Sequence, residues 1–335
     1  MISELAVCYP QTIVHGYQNC VTCHTTNDGG DTLNDYGRGM SEAFMATWAK
    51  DGEAREMLGL GELKWLDLGL DYRTLDIRNL DTGARDEFHM YTTGQLVIRH
   101  AGLTLSSSLG LYGHDTSYQT RNYFLGYHAD DDGHNVDFKL GYFMPVVGLG
   151  TNNHDLFIKK AQGFGRGQEK FVAQLSYLNS WFELRYLTAY QDFTTEKRED
   201  NFLGINAEAP PAVYYEIKFK KIEGIDAGAY LRTQGCHLSL AGASIRLGKG
   251  RSYVLGQYDQ NSKDSKTTSY LRTGIFLFQG FDGYIERQTL ETEAGLQEAK
   301  AIGFSWMIRP RFEYEAALSQ SVQGRNFIGS LKLWL

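Results

Sequence analysis

The chain has 335 residues, a formal net charge of −7 and only 5 prolines against 37 glycines, with 13% aromatic residues. The acidic balance and the lack of a basic block argue against nucleic acid as a partner. No apolar run of about 18 residues marks a membrane-spanning helix, and few prolines with many glycines and aromatics suit a chain of paired strands.

Taken in order, the start "MISELAVCYPQ" has neither a basic n-region nor an apolar core of signal length. If the protein is exported, its targeting segment lies upstream. Residues 1–58 differ from everything after them. They hold CVTCH (Cys20 to His24), a turn-rich stretch from Asn27 to Gly39, and then Phe44, Met45 and Trp48 at helical spacing behind Ser41. This spacing predicts a short helix over about 42–50 with Ser41 as N-cap.

From Glu62 onward the period is two. In "LKWLDLGLDYRTLDI", Leu66, Leu68, Leu70 and Tyr72 share one face, and Asp67, Gly69, Asp71 and Arg73 the other. The alternation returns in "FELRYLTAY", "YYEIKFKKI" and "RFEYEAALS". Sixteen segments are predicted: 62–78, 86–101, 102–113, 116–128, 133–145, 168–178, 179–191, 211–222, 224–236, 237–249, 251–260, 267–279, 280–291, 297–309, 311–323 and 325–335. They are longer than ordinary globular strands and suit tilted strands crossing a bilayer. Connections after even strands are short, and longer ones follow strands 1, 5, 7, 11 and 13. That parity predicts an all-β, antiparallel transmembrane barrel over 59–335 in the outer membrane of a bacterium, with the N-terminus and short turns periplasmic. The connection 146–167 is either a constriction folded into the lumen or an ordinary solvated loop. The acid-rich "DDDGHNVD" at Asp130–Asp137 lacks the spacing of a calcium loop and reads as a turn.

Two cysteines three apart followed at once by histidine form the c-type haem attachment pattern. Each thiol adds to one vinyl group, and the imidazole of His24 then lies where it ligates the iron. Half a zinc site or a redox dithiol are the rival readings; a second ligand pair and a βαβ context are both missing. The expectation is one covalent haem c on Cys20 and Cys23, with His24 as proximal ligand. His15 is the candidate second ligand, with Met40 as its alternative. Tyr36 and Arg38 are candidates for the propionates, by hydrogen bond and by charge.

"HGYQNCVTCHTTNDGGDTLNDYGRGMSEAF" resembles the opening of a family of bacterial outer-membrane barrel proteins with one N-terminal haem-attachment motif. "KLGYFMPVVGLGTNNHDLFIKK" and "GFGRGQEKFVAQLSYL" resemble the middle of the same family. That family usually carries Ser-Pro shortly after the histidine, where this chain has Thr25, Thr26 and Asn27. The resemblance implies a porin-like barrel behind a haem-bearing plug or appendage; porin–cytochrome conduits are a more distant comparison. Two functions compete. One is electron transfer at or across the membrane, with periplasmic or extracellular multihaem cytochromes as partners. The other is a solute pore whose plug is fixed or gated by haem, or a structural protein. Sensing of a small ligand is a third possibility. The lipid bilayer is a partner in every case, and further copies of the chain could be another. No nucleophile triad, phosphate loop or paired carboxylate points to an enzyme.

Overall fold

The computed structural model describes residues 10–15, 17, 23–24, 33–53, 65–112, 118–149, 156–162, 169–189, 211–262, 265–322 and 324–334. Sixteen strands form one closed antiparallel barrel: β1 Leu66–Asn79, β2 Arg85–His100, β3 Leu103–Tyr112, β4 Tyr118–Asp131, β5 His134–Phe143, β6 Lys170–Leu178, β7 Phe182–Ala189, β8 Ala212–Phe219, β9 Ile225–Gln234, β10 His237–Lys249, β11 Ser252–Asn261, β12 Lys266–Phe278, β13 Phe281–Thr292, β14 Gly295–Arg309, β15 Phe312–Ser321 and β16 Gly324–Trp334. Each pairs with its neighbours in sequence. The seam closes where Asp71–Asn79 of β1 meets Trp334–Asn326 of β16. Closure leaves no unpaired sheet edge.

Alternation decides which side chain faces where. Leu103, Leu105 and Leu109 of β3 are exposed on the outer wall, while Thr104, Ser106 and Ser108 between them are buried inside. On β8, Tyr215 and Phe219 point outward, and Tyr214, Glu216 and Lys218 inward. An apolar outside and a polar inside invert the usual globular arrangement, and this is the pattern of a barrel with lipid around it.

The connections after even strands lie together at one end and are short. Asp132 and Gly133, both at positive φ, form the tight turn between β4 and β5. The opposite end carries the long connections 144–169 and 190–211. One expected long connection is absent: β13 and β14 continue their pairing to Thr292 opposite Gly295, leaving only 293–294 between them. Ladder pairs Glu291–Leu296 and Thr292–Gly295 extend the hairpin past the predicted strand ends.

The connection from β5 to β6 folds into the lumen. Its helix α3, Phe157–Gln162, packs against β11, β12 and β13, far around the wall from where the loop begins. The anchors are polar. Arg185 donates to the Val146 carbonyl, and Glu216 accepts from the Gly148 amide at 2.7 Å. Gln257 accepts from Leu149 N at 2.9 Å, and Gln288 from Phe157 N at 3.1 Å. The Gln162 carbonyl takes both the Tyr214 hydroxyl and Arg232 at 2.9 Å. The described parts of this loop therefore lie inside the lumen, as the first of the two readings expects.

Candidate functional site

The N-terminal segment sits in the short-turn mouth. Its first described element is α1, Pro10–Val14, with proline at the first helical position, where its missing N–H is of no consequence. Ile13 is buried in one apolar cluster with Tyr253, Tyr270 and Tyr284 of the wall and Leu149, Leu156 and Ile158 of the inward loop. Gly248, near the end of β10, makes room for the helix. A Cβ there would stand 2.8 Å from the Ile13 carbonyl carbon and from Val14 N.

The second element is α2, Asp35–Met40, which runs on into a π-helical turn, Ser41–Met45. The predicted helix over 42–50 is thus displaced toward the N-terminus. Asn34, rather than Ser41, is the cap: its Oδ1 accepts from Gly37 N at 2.8 Å. The helix stops at Met45 because the barrel takes over its backbone. Thr47 N and Trp48 N each donate at 3.0 Å to the carbonyls of Met307 and Ile308 at the β14–β15 turn. Gln279 adds two donations, to Ala43 O at 3.1 Å and Ala46 O at 2.8 Å.

The attachment motif lies between these elements. Cys23 and His24 are buried, and His24 forms an isolated antiparallel bridge with Leu33. The Cys23 carbonyl accepts from Asn34 N at 2.9 Å, and the Asn34 side chain donates to His24 O at 3.2 Å. Gly37 is obligatory at this crossing, since a Cβ would lie 2.1 Å from the Cys23 oxygen. Cys20, Cys8 and the whole of Thr25–Thr32 lie outside the described residues, as does the expected boundary between 58 and 59.

The other predicted residues divide. Tyr36 is exposed and shares a 2.6 Å hydrogen bond with the Tyr17 hydroxyl. That bond, a little burial and the nearby Cys23 push its hydroxyl above the ordinary tyrosine value. Arg38 points away to the barrel wall and donates to Asp67 at 2.9 Å; Arg99 holds the other oxygen of the same carboxylate. His15 is exposed, with its ring 5.4 Å from that of Phe44. Met40 is buried. The structure therefore gathers Tyr17, Asn34, Tyr36 and Gly37 around Cys23, and commits Arg38 to Asp67. Among the described residues no group of three metal-binding side chains is preassembled. The donor set of the motif, a thiol followed by an imidazole with phenolic hydroxyls beside it, fits a covalent haem chemically.

Asp67, Gln279, Ile13 and Gly248 were not legible as site residues. Asp67 reads as one more polar position in an alternating strand, and only Pro10 hinted at α1.

No protein-family profile matches the chain, and no curated protein is similar to it in sequence. Solved structures of porins are similar in fold. One mutant form of the Rhodopseudomonas blastica porin superposes with a TM-score of 0.55 at 11% identity, covering 81% of this chain and 100% of that one. A triple mutant of the same porin gives 0.57 at 10% identity, with the same coverage. Salmonella typhi OmpF, solved in complex with daunomycin, gives 0.58 at 9% identity, covering 81% of this chain and 97% of that one. At these identities the likeness is one of fold.

Proposed function

We propose that the protein is an outer-membrane, porin-like barrel whose periplasmic mouth is closed by a plug carrying one haem c, and that the haem fixes the seating of that plug. One observation carries the reading. The chain on both sides of CVTCH is packed into the short-turn mouth, through Ile13 upstream and through Arg38, Ala43 and Ala46 downstream. Short turns are periplasmic in outer-membrane barrels, and haem attachment is periplasmic chemistry, so the two orientations agree.

In this reading Cys20 and Cys23 hold the macrocycle and His24 ligates the iron. When bound, the haem supplies a one-electron couple and a rigid link across the segment. His15 is the second ligand, on the exposed side of Phe44, and the buried Met40 is the alternative. Tyr36 and Tyr17 offer hydroxyls to a propionate; Arg38 contributes by holding α2 to the wall through Asp67.

A second reading is supported by the exposure of Tyr36 and Phe44 beside the motif. There the haem exchanges electrons with periplasmic carriers. A single haem does not span a hydrocarbon core about 30 Å thick, so conduction across the membrane would need multihaem partners or further copies.

The test uses the exported, detergent-solubilised protein. The expected result is a low-spin haem spectrum, oxidised and reduced, that carbon monoxide does not shift. Cys20→Ala with Cys23→Ala should remove the haem and raise the open probability in planar bilayers. His15→Ala should convert the spectrum to one that carbon monoxide shifts. A properly exported wild-type protein without haem overturns the proposal. Haem loss with unchanged conductance rejects the plug and leaves the electron-transfer reading.

A further inference from the structure

The N-terminal segment and the inward loop contribute to one buried apolar cluster in the lumen. Ile13 of α1 belongs to the same buried cluster as Leu149, Leu156 and Ile158 of the β5–β6 connection. The wall supplies Tyr253 and Tyr270, whose outer ends are turned to polar partners: Tyr253 donates to Asp282 at 2.6 Å, and Tyr270 to Glu286 at 3.0 Å. The barrel thus holds an apolar core inside its lumen, one part plug, one part constriction loop and one part wall. We infer that this joint couples the two inserted segments, so that the seating of the haem-bearing plug sets the position of the constriction loop.

The physical argument rests on what each side has without the other. The loop has polar anchors at both ends, where Arg185 and Glu216 hold Val146 and Gly148 and Arg232 and Tyr214 hold Gln162, and backbone anchors at Leu149 and Phe157 from Gln257 and Gln288. Between these anchors its apolar side chains, Leu156 and Ile158, are covered in the cluster to which α1 contributes. Unseating α1 exposes apolar surface in the lumen, and water then reaches the loop's middle while its ends stay fixed. The free-energy link is reciprocal: a displaced loop also loosens the plug. The plug half of the inference rests on the reading proposed above; the contact between α1 and the loop cluster does not.

The fold offers a wedge that acts on α1 alone. Gly248 lies against the α1 backbone, at 2.8 Å from the Ile13 carbonyl carbon for an added Cβ, and its φ is not in the left-handed region. Gly248→Val therefore pushes on the helix without altering a loop residue or the attachment motif. Gly283→Ala, on β13, meets nothing within 4 Å and serves as control.

The experiment is hydrogen–deuterium exchange of the purified full chain in detergent, following amides of 10–15 and of 156–162. The expected result is that Gly248→Val speeds exchange in both segments by roughly tenfold or more, and that Gly283→Ala changes neither. Ile13→Ala, which removes apolar contact without a wedge, gives the same paired change if Gly248→Val fails to fold. Faster exchange at 10–15 with 156–162 unchanged overturns the coupling, and so does no change at either segment. Haem content is measured on the same samples. A protein without haem that still shows the paired change refutes the haem reading and keeps the joint.

Discussion

Asp67 holds two arginines at once, Arg38 from the plug and Arg99 from β2, with its carboxylate buried. Removing its charge takes the charge assistance from the hydrogen bond that Arg38 donates to it. Asp67→Asn should weaken the seating of α2 by about 2–3 kcal/mol, the usual worth of a charge-assisted hydrogen bond. Trypsin cleavage after Arg38 in the folded barrel should then become faster; unchanged cleavage would show that α2 is held elsewhere. Glu53 gives a pH signature at the rim. Its hydrogen bond from Arg309, 2.8 Å, holds its carboxyl below the ordinary glutamate value of 4.5. The folded value is depressed, so this contact stabilises above 4.5 and is lost as pH falls from there through the folded value. Segment 47–53 should loosen in that acid window, read by exchange of its amides, and Glu53→Gln should remove the step. At this scale the CVTCH pattern stands out by its spacing alone, two thiols and an imidazole at fixed offsets. Asp67 and Gln279 do not, because what makes them matter is a partner far away in sequence.

Among the elements, the inward loop depends on a buried charge network. Arg185 donates to Glu183 at 2.5 Å and to Glu216 at 3.1 Å, and Lys220 donates to the other oxygen of Glu183 at 2.5 Å. Taking away Arg185 leaves Glu183 with Lys220 and Glu216 with Lys218 at 3.5 Å, a buried network one positive charge short, at a cost of up to about 3–5 kcal/mol. Arg185→Ala should therefore release Val146 and lower the thermal midpoint; a current trace in bilayers should become noisier. Strand positions were legible because a half-buried wall forces a period of two. The inward fold of 144–169 was not, since no local pattern distinguishes a loop bound to its own lumen from a solvated one. The displaced helix has a similar cause: Ser41 is a good cap by type, but tertiary hydrogen bonds donated by Thr47 and Trp48 to the carbonyls of Met307 and Ile308 decide where the helix ends.

For the whole molecule, lipid is the outer solvent. Ile302 pairs with Ile285 and Leu318 on adjacent strands, and all three are more than half exposed on the outer wall, at 59%, 56% and 51%. Ile302→Arg should cost about 2–4 kcal/mol if this patch lies near the bilayer midplane, measured by equilibrium unfolding in lipid vesicles. A Thr268→Ser change on the lumenal side should leave that equilibrium nearly unmoved. The contacts of Thr47 reach Gln279 and Met307, 232 and 260 residues along the chain. Contacts so distant form late, after the wall that offers them exists. The segment ahead of the barrel that carries Thr47 is therefore the part that finds its place last. The finished barrel then draws Thr47 and Trp48 into its own mouth, onto the carbonyls of Met307 and Ile308.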